Sequence, residues 1–217
     1  MTTDFQRARS TEAKHQREQA ILTAAAALST ERGIRQVTLT DIAEVIGMHK
    51  SALLRYFETR EQIFLRLTAT GWREWSPALR AGLAELADPT PAAVAGVFAA
   101  TLTARPTFCD LLAQAPLNLE RNVSLDSVLA FKLVTLEEVT LISAQLRELL
   151  PALSEADTID IVAAATSLAG AFWQMATPGP QIEALYRADP RLTHAVVEVE
   201  PRLVRILTAQ LTGLLAE

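Results

Sequence analysis

Apolar residues recur at helical spacing along almost the whole chain, and this periodicity decides the fold class. Ile21, Ala24, Ala25 and Leu28 share one helix face near one end, and Leu203, Leu207, Leu211, Leu214 and Leu215 form a stripe near the other. The alternation that a half-buried strand needs is scarce; its best example, residues 193–199, is short. The chain therefore reads as all-α. Pro106, Pro151, Pro178 and Pro201 divide it, because proline lacks an N–H and clashes inside a helix. Helices are expected over residues 14–32, 41–46, 50–57, 60–86, 91–104, 106–119, 124–149, 155–176, 180–187 and 201–216, after a polar, flexible arm over 1–14.

Composition removes several function classes. A chain of 217 residues that is 50% apolar can bury a core without covalent staples. Its one cysteine, Cys109, allows neither an internal disulfide nor a cysteine-cluster metal site, which fits a reducing, cytoplasmic setting. The three histidines are His15, His49 and His194, and no zinc, calcium, phosphate-loop or nucleophile-elbow spacing occurs. No enzyme activity, cofactor or metal is expected. Residues 1–19 lack the apolar core of a signal peptide. The uncharged stretch 161–182 is interrupted by Thr166, Ser167, Gln174 and Pro178, so it reads as a buried helix and no membrane partner is expected.

Charge is unevenly distributed. Residues 1–66 hold ten Lys/Arg against eight Asp/Glu, whereas residues 67–217 hold ten against seventeen. A mildly basic head on an acidic body suits a protein whose head alone meets a polyanion.

The head carries the informative motif. Residues 40–57 read Thr-Asp-Ile-Ala-Glu-Val-Ile-Gly-Met-His-Lys-Ser-Ala-Leu-Leu-Arg-Tyr-Phe. Thr40 is placed to cap a short helix whose Ile42, Ala43 and Ile46 face inward. Gly47 can adopt positive φ at the corner, and Leu53 and Phe57 then face inward from a second short helix. Two such helices joined by a tight turn are the pattern of a helix-turn-helix. The outer face of the second helix offers His49, Lys50, Ser51, Ala52, Leu54 and Arg55. Lys50 and Arg55 can neutralise phosphates or reach guanine, while Ala52 and Leu54 can meet thymine methyls. Thr59 is placed to cap the long helix that follows.

Over about residues 17–66 the sequence resembles the tetracycline-repressor-like (TetR/AcrR) transcriptional regulators. The likeness rests on Ile42-Ala43, Gly47, Lys50, Leu53, Arg55, Phe57 and Thr59-Arg60-Glu61. The family's usual pattern has Ala and Val where Ile46 and Met48 stand, Ser, Gly and Thr where His49, Ser51 and Ala52 stand, and Tyr and His where Leu54 and Tyr56 stand. The resemblance implies a helix-turn-helix domain over 15–58 and a larger helical ligand-binding and dimerisation domain over 59–217. It implies Thr40, Lys50, Tyr56 and Arg60 as DNA-backbone contacts, with His49, Ser51, Ala52, Leu54 and Arg55 facing bases. It further implies a homodimer on a palindrome-like double-stranded operator, released by a small-molecule effector.

The body offers residues for both remaining roles. Residues 163–171 are nearly all small, so helix backbones can approach closely there; Ala163, Ser167 and Gly170, with Leu203, Leu207, Leu211 and Leu214, are expected at a four-helix dimer interface. A ligand cavity would draw on Phe98, Leu102, Phe108, Cys109, Leu112, Phe131 and Trp173 for apolar contact, and on Asn118, Asn122 and Gln174 for hydrogen bonds. A helical binding or scaffold protein without DNA affinity, or a regulator indifferent to ligands, would fit the same body.

Overall fold

The computed structural model describes residues 2–216, and the side chains of residues 12–193 and 195–216. The described residues form ten α-helices and no strand. Helices α1 (Thr2–Arg32), α2 (Leu39–Val45) and α3 (Lys50–Leu53) build the head. Helix α4 (Arg60–Ala84) leads from it into a body made of α5 (Pro91–Thr103), α6 (Pro106–Gln114), α7 (Leu125–Leu149), α8 (Glu155–Ala176), α9 (Pro180–Ala188) and α10 (Val199–Leu214). Short 3-10 segments at Ile34–Gln36 and Pro190–Ala195, and a π turn at Ala115–Leu119, complete the path.

Helix starts follow the capping chemistry of the sequence. Thr59, Thr90, Ser124 and Ser154 each accept a backbone N–H from the third residue onward, satisfying a donor that has no partner within the helix. Two helix starts in the head differ from expectation. The backbone is helical from Thr2, so the stretch expected as a flexible arm continues α1; residues 2–13 contain no Gly or Pro to stop it. The cap of α2 is Thr38, not Thr40. Thr38 has Asp41 three residues on, whose carboxylate returns to the Thr38 N–H at 2.8 Å, closing a reciprocal box that Thr40, followed by Ala43, could not form. These bonds from Thr38, with Arg32 nearby, hold the Asp41 carboxyl below the usual carboxylate range.

The body core is centred on aromatic rings. Trp72 and Trp75 of α4 meet edge to face at 5.4 Å, and Trp75 touches Phe98 at 6.1 Å and Phe108 at 6.0 Å between ring centres. Gly71 makes room for this cluster, since a Cβ there would lie 2.3 Å from the Phe108 ring. Helix α10 packs on α5 and α8, α4 on α7, and α6 on α8. The α6–α8 approach is close because Gly170 faces the backbone of Ala113; a Cβ would come within 2.8 Å of its nitrogen. Helix α8 is long and apolar enough to cross a membrane by length and composition, but one side of it is packed on α6, α7 and α10.

Candidate nucleic-acid interface

The α2–α3 corner is made by the backbone. Gly47 adopts φ +63°, the Met48 N–H donates to Ala43 O at 2.8 Å, and the Gly47 N–H donates to Glu44 O at 3.1 Å. This pair of bonds satisfies the orphan carbonyls at the end of α2 and turns the chain sharply. Ile42, Ala43, Leu53 and Phe57 close the underside against Ile21, Ala25 and Leu28 of α1. The second helix of the motif is shorter than the 50–57 expected: α3 ends at Leu53, and residues 54–56 continue as turns, with Tyr56 N–H donating to Leu53 O at 2.9 Å.

Burial therefore fixes what remains outside. His49, Lys50, Ser51, Leu54 and Arg55 are exposed around α3, and Thr40 is exposed in the first turn of α2. Ala52 and Tyr56 are half-buried, Tyr56 leaning on the head's core. His49 and Ser51 share a hydrogen bond of 3.1 Å at the start of α3, so their polar groups are held side by side on the outer face. Arg60 does not join them. Its Nε donates to Val37 O, one terminal nitrogen donates to Ile34 O and the other pairs with Glu61, and the guanidinium lies over the Phe64 ring at 4.5 Å. It ties the 3-10 segment to α4, because carbonyls there have no helical partner, so the guanidinium expected at phosphate is engaged within the chain.

Two polar joints connect head and body. Asp110, buried in the middle of α6, accepts the Ile34 N–H at 3.0 Å through one oxygen and the Gln174 amide at 2.7 Å through the other. On the other side of α4, Glu58 Oε1 accepts the Ser124 N–H, the Ser124 hydroxyl and the Ser127 hydroxyl, each at 2.9 Å. The Ser124 N–H is the main cause that holds the Glu58 carboxyl below its ordinary range. Neither joint was readable in sequence, because their partners lie 76 and 66 residues apart.

The residues expected to line one ligand cavity are distributed among several places. Phe98, Leu102 and Cys109 are fully buried in the core. Burial, with the adjacent Asp110, pushes the Cys109 thiol up to about 12, and it donates to Leu102 O as a protonated, packed group. Leu112 is half-buried against the same core. Phe108 lines a 280 Å³ hollow between α1, α4 and α6; Trp173 and Gln174 line one of 850 Å³ under the 3-10 segment; Asn118 and Asn122 line one of 220 Å³ beside Arg60. Phe131 lines a 440 Å³ groove between α4 and α7 with Gln62, Leu65, Arg66, Ala69 and Arg73, residues that the sequence reading did not single out.

The interface residues divide in the same way. Leu203, Leu207 and Leu211 are fully buried inside the chain where α10 meets α5 and α8, and Gly170 is buried against α6, so these four pack within the chain. Leu214 is half-buried, and Ala163 and Ser167 are exposed.

A braced helix-turn-helix with Lys50 and Arg55 facing outward, joined by one long helix to a helical body, is the architecture of a DNA-binding transcriptional regulator. The chain belongs to the tetracycline-repressor-like family: residues 21–67 match the family's bacterial regulatory N-terminal domain, and residues 69–217 match a tetracyclin repressor-like C-terminal domain. Members of this family are DNA-binding transcriptional regulators. Solved structures share the fold. The fatty acid degradation regulator FadR of Bacillus halodurans is 16% identical with TM-score 0.52, covering 88% of this chain and 97% of its own. A TetR/AcrR-family regulator of Thermobifida fusca is 18% identical with TM-score 0.52, covering 92% and 97%. RolR, solved with its ligand resorcinol, is 20% identical with TM-score 0.51, covering 91% and 95%. Among curated proteins, none matches the sequence.

Proposed function

We propose that the protein is a cytoplasmic, dimeric repressor that releases its operator when a small molecule binds the body. The observation that carries this reading is α4. Its first turn is capped by Thr59, directly after the DNA-facing segment, and its later turns hold Trp72 and Trp75 at the centre of the body core. A helix of 25 residues spans about 37 Å at 1.5 Å per residue, so a tilt imposed in the body is delivered at the head. Lys50 engages the DNA backbone, and His49, Ser51, Ala52, Leu54 and Arg55 supply base contacts, with Thr40 and Tyr56 as further backbone contacts at the edges. A shared fold with a protein solved around resorcinol supports a body that accepts small ligands.

The dimer face is the outer row of α8. Ile159, Ala163, Ser167, Ala171 and Met175 are all exposed and recur every fourth residue. Large apolar ends flank a small-residue centre, which lets a second copy of the helix lie close. Two heads then meet successive major grooves about 34–36 Å apart. Selection of duplexes from a random pool by the full-length protein tests the proposal. An enriched inverted repeat, bound by a dimer in sedimentation, is expected; a monomer that enriches nothing overturns it.

A further inference from the structure

We infer that the α4–α7 groove is a binding site for an amphipathic carboxylate, and that occupancy loosens the Glu58 joint beside it. This inference rests on the effector reading above and supplies its site and ligand chemistry. The groove has a volume of 440 Å³, within the ~300–1,000 Å³ of small-molecule sites. Its floor is apolar, made by Leu65 and Ala69 of α4 and by Ala130, Phe131 and Val134 of α7.

The polar groups are arranged at one end and one side. Gln62, Arg66 and Arg73 follow one another along the α4 wall at helical spacing. Among the described residues, neither the Arg66 nor the Arg73 guanidinium has a hydrogen-bond or ion-pair partner, although both line the groove. Among the lining residues one carboxylate, Asp126 of α7, stands against these two guanidinium groups, and the Glu58 carboxylate at the upper end is already held by Ser124 and Ser127. A guanidinium binds a carboxylate through two parallel N–H bonds, which makes an anionic head on an apolar tail the occupant that satisfies both halves of the lining.

The upper end of the groove is the joint to the head. Gln62 donates to Ser127 Oγ at 2.9 Å, and its side-chain oxygen accepts the Glu58 N–H at 2.7 Å. Ser127 and Ser124 in turn hold the Glu58 carboxylate. A ligand that separates α4 from α7 here competes with the Gln62–Ser127 bond. Glu58 lies between Phe57, which closes the head's core, and Thr59, which caps α4, so the disturbance reaches the base of the reading segment directly.

Calorimetry on the full-length protein tests this with straight-chain carboxylates of six to twelve carbons, 2-naphthoate, and the amide of each acid. At least one acid is expected to bind saturably, with its amide at least tenfold weaker. Arg66→Gln/Arg73→Gln and, independently, the groove-filling Ala130→Trp should each weaken the acid at least tenfold while the melting temperature holds. The acid should also lower duplex affinity of the parent protein and not of the double variant. No saturable acid, equal binding of acid and amide, or binding indifferent to both variants overturns the site; acid binding that leaves duplex affinity unchanged overturns the coupling. Failure to bind any duplex without ligand would count against the regulator reading and not against the groove.

Discussion

Head and body hold their shapes by different means. The head is small, so its helices are fixed by backbone geometry: a capping box at Thr38, a left-handed Gly47, and the Arg60 brace onto two loop carbonyls. The body is fixed by volume: interlocked rings at Trp72, Trp75, Phe98 and Phe108, and helices brought together at Gly71 and Gly170. A structure held by local bonds can leave most of its surface polar and available to DNA. A structure held by volume transmits displacement, because a dense interior does not absorb it.

The largest effect should come from emptying the body. Phe98→Ala removes a fully buried ring and should cost about 3–5 kcal/mol, read by denaturant unfolding. A loss under about 1 kcal/mol would mean that the core is not held by volume. The two kinds of glycine sharpen the contrast. Gly170→Ala places a methyl against the Ala113 backbone and should cost about 1–3 kcal/mol from overpacking. Gly47→Ala meets nothing within 4 Å, so only the positive φ opposes it, at roughly 1–2 kcal/mol, and Gly47→Asn should recover part of that loss. Equal rescue of Gly170 by Asn would erase the distinction.

The same contrast explains what the sequence reveals. The head's elements were legible because their causes are local: Gly47 at the corner, Thr59 at the start of α4, and inward Ile42, Ala43, Leu53 and Phe57 at helical spacing. Helix positions in the body were legible for the same reason, through apolar spacing and through Pro106 at the first turn of α6. What each body helix faces was not. A leucine stripe on α10 looks the same whether it meets α5 or a second subunit, and only the three-dimensional arrangement places Leu203, Leu207 and Leu211 inside. Among the small residues of α8, Gly170 faces the Ala113 backbone of α6, while Ala163 and Ser167 stay exposed on another side of the helix. Arg60 matched a family position, yet its guanidinium turns to carbonyls at Ile34 and Val37 that no local pattern announces.

The account depends on α3 presenting its basic edge to phosphates, and salt dependence measures that edge directly. Titrate the enriched duplex with the parent protein and with Lys50→Ala across a range of salt concentrations. Each phosphate contact contributes roughly 0.9 to the slope of log affinity against log salt, so losing one Lys50 contact in each half-site should reduce the slope by roughly 2. An unchanged slope and affinity would contradict the proposed docking.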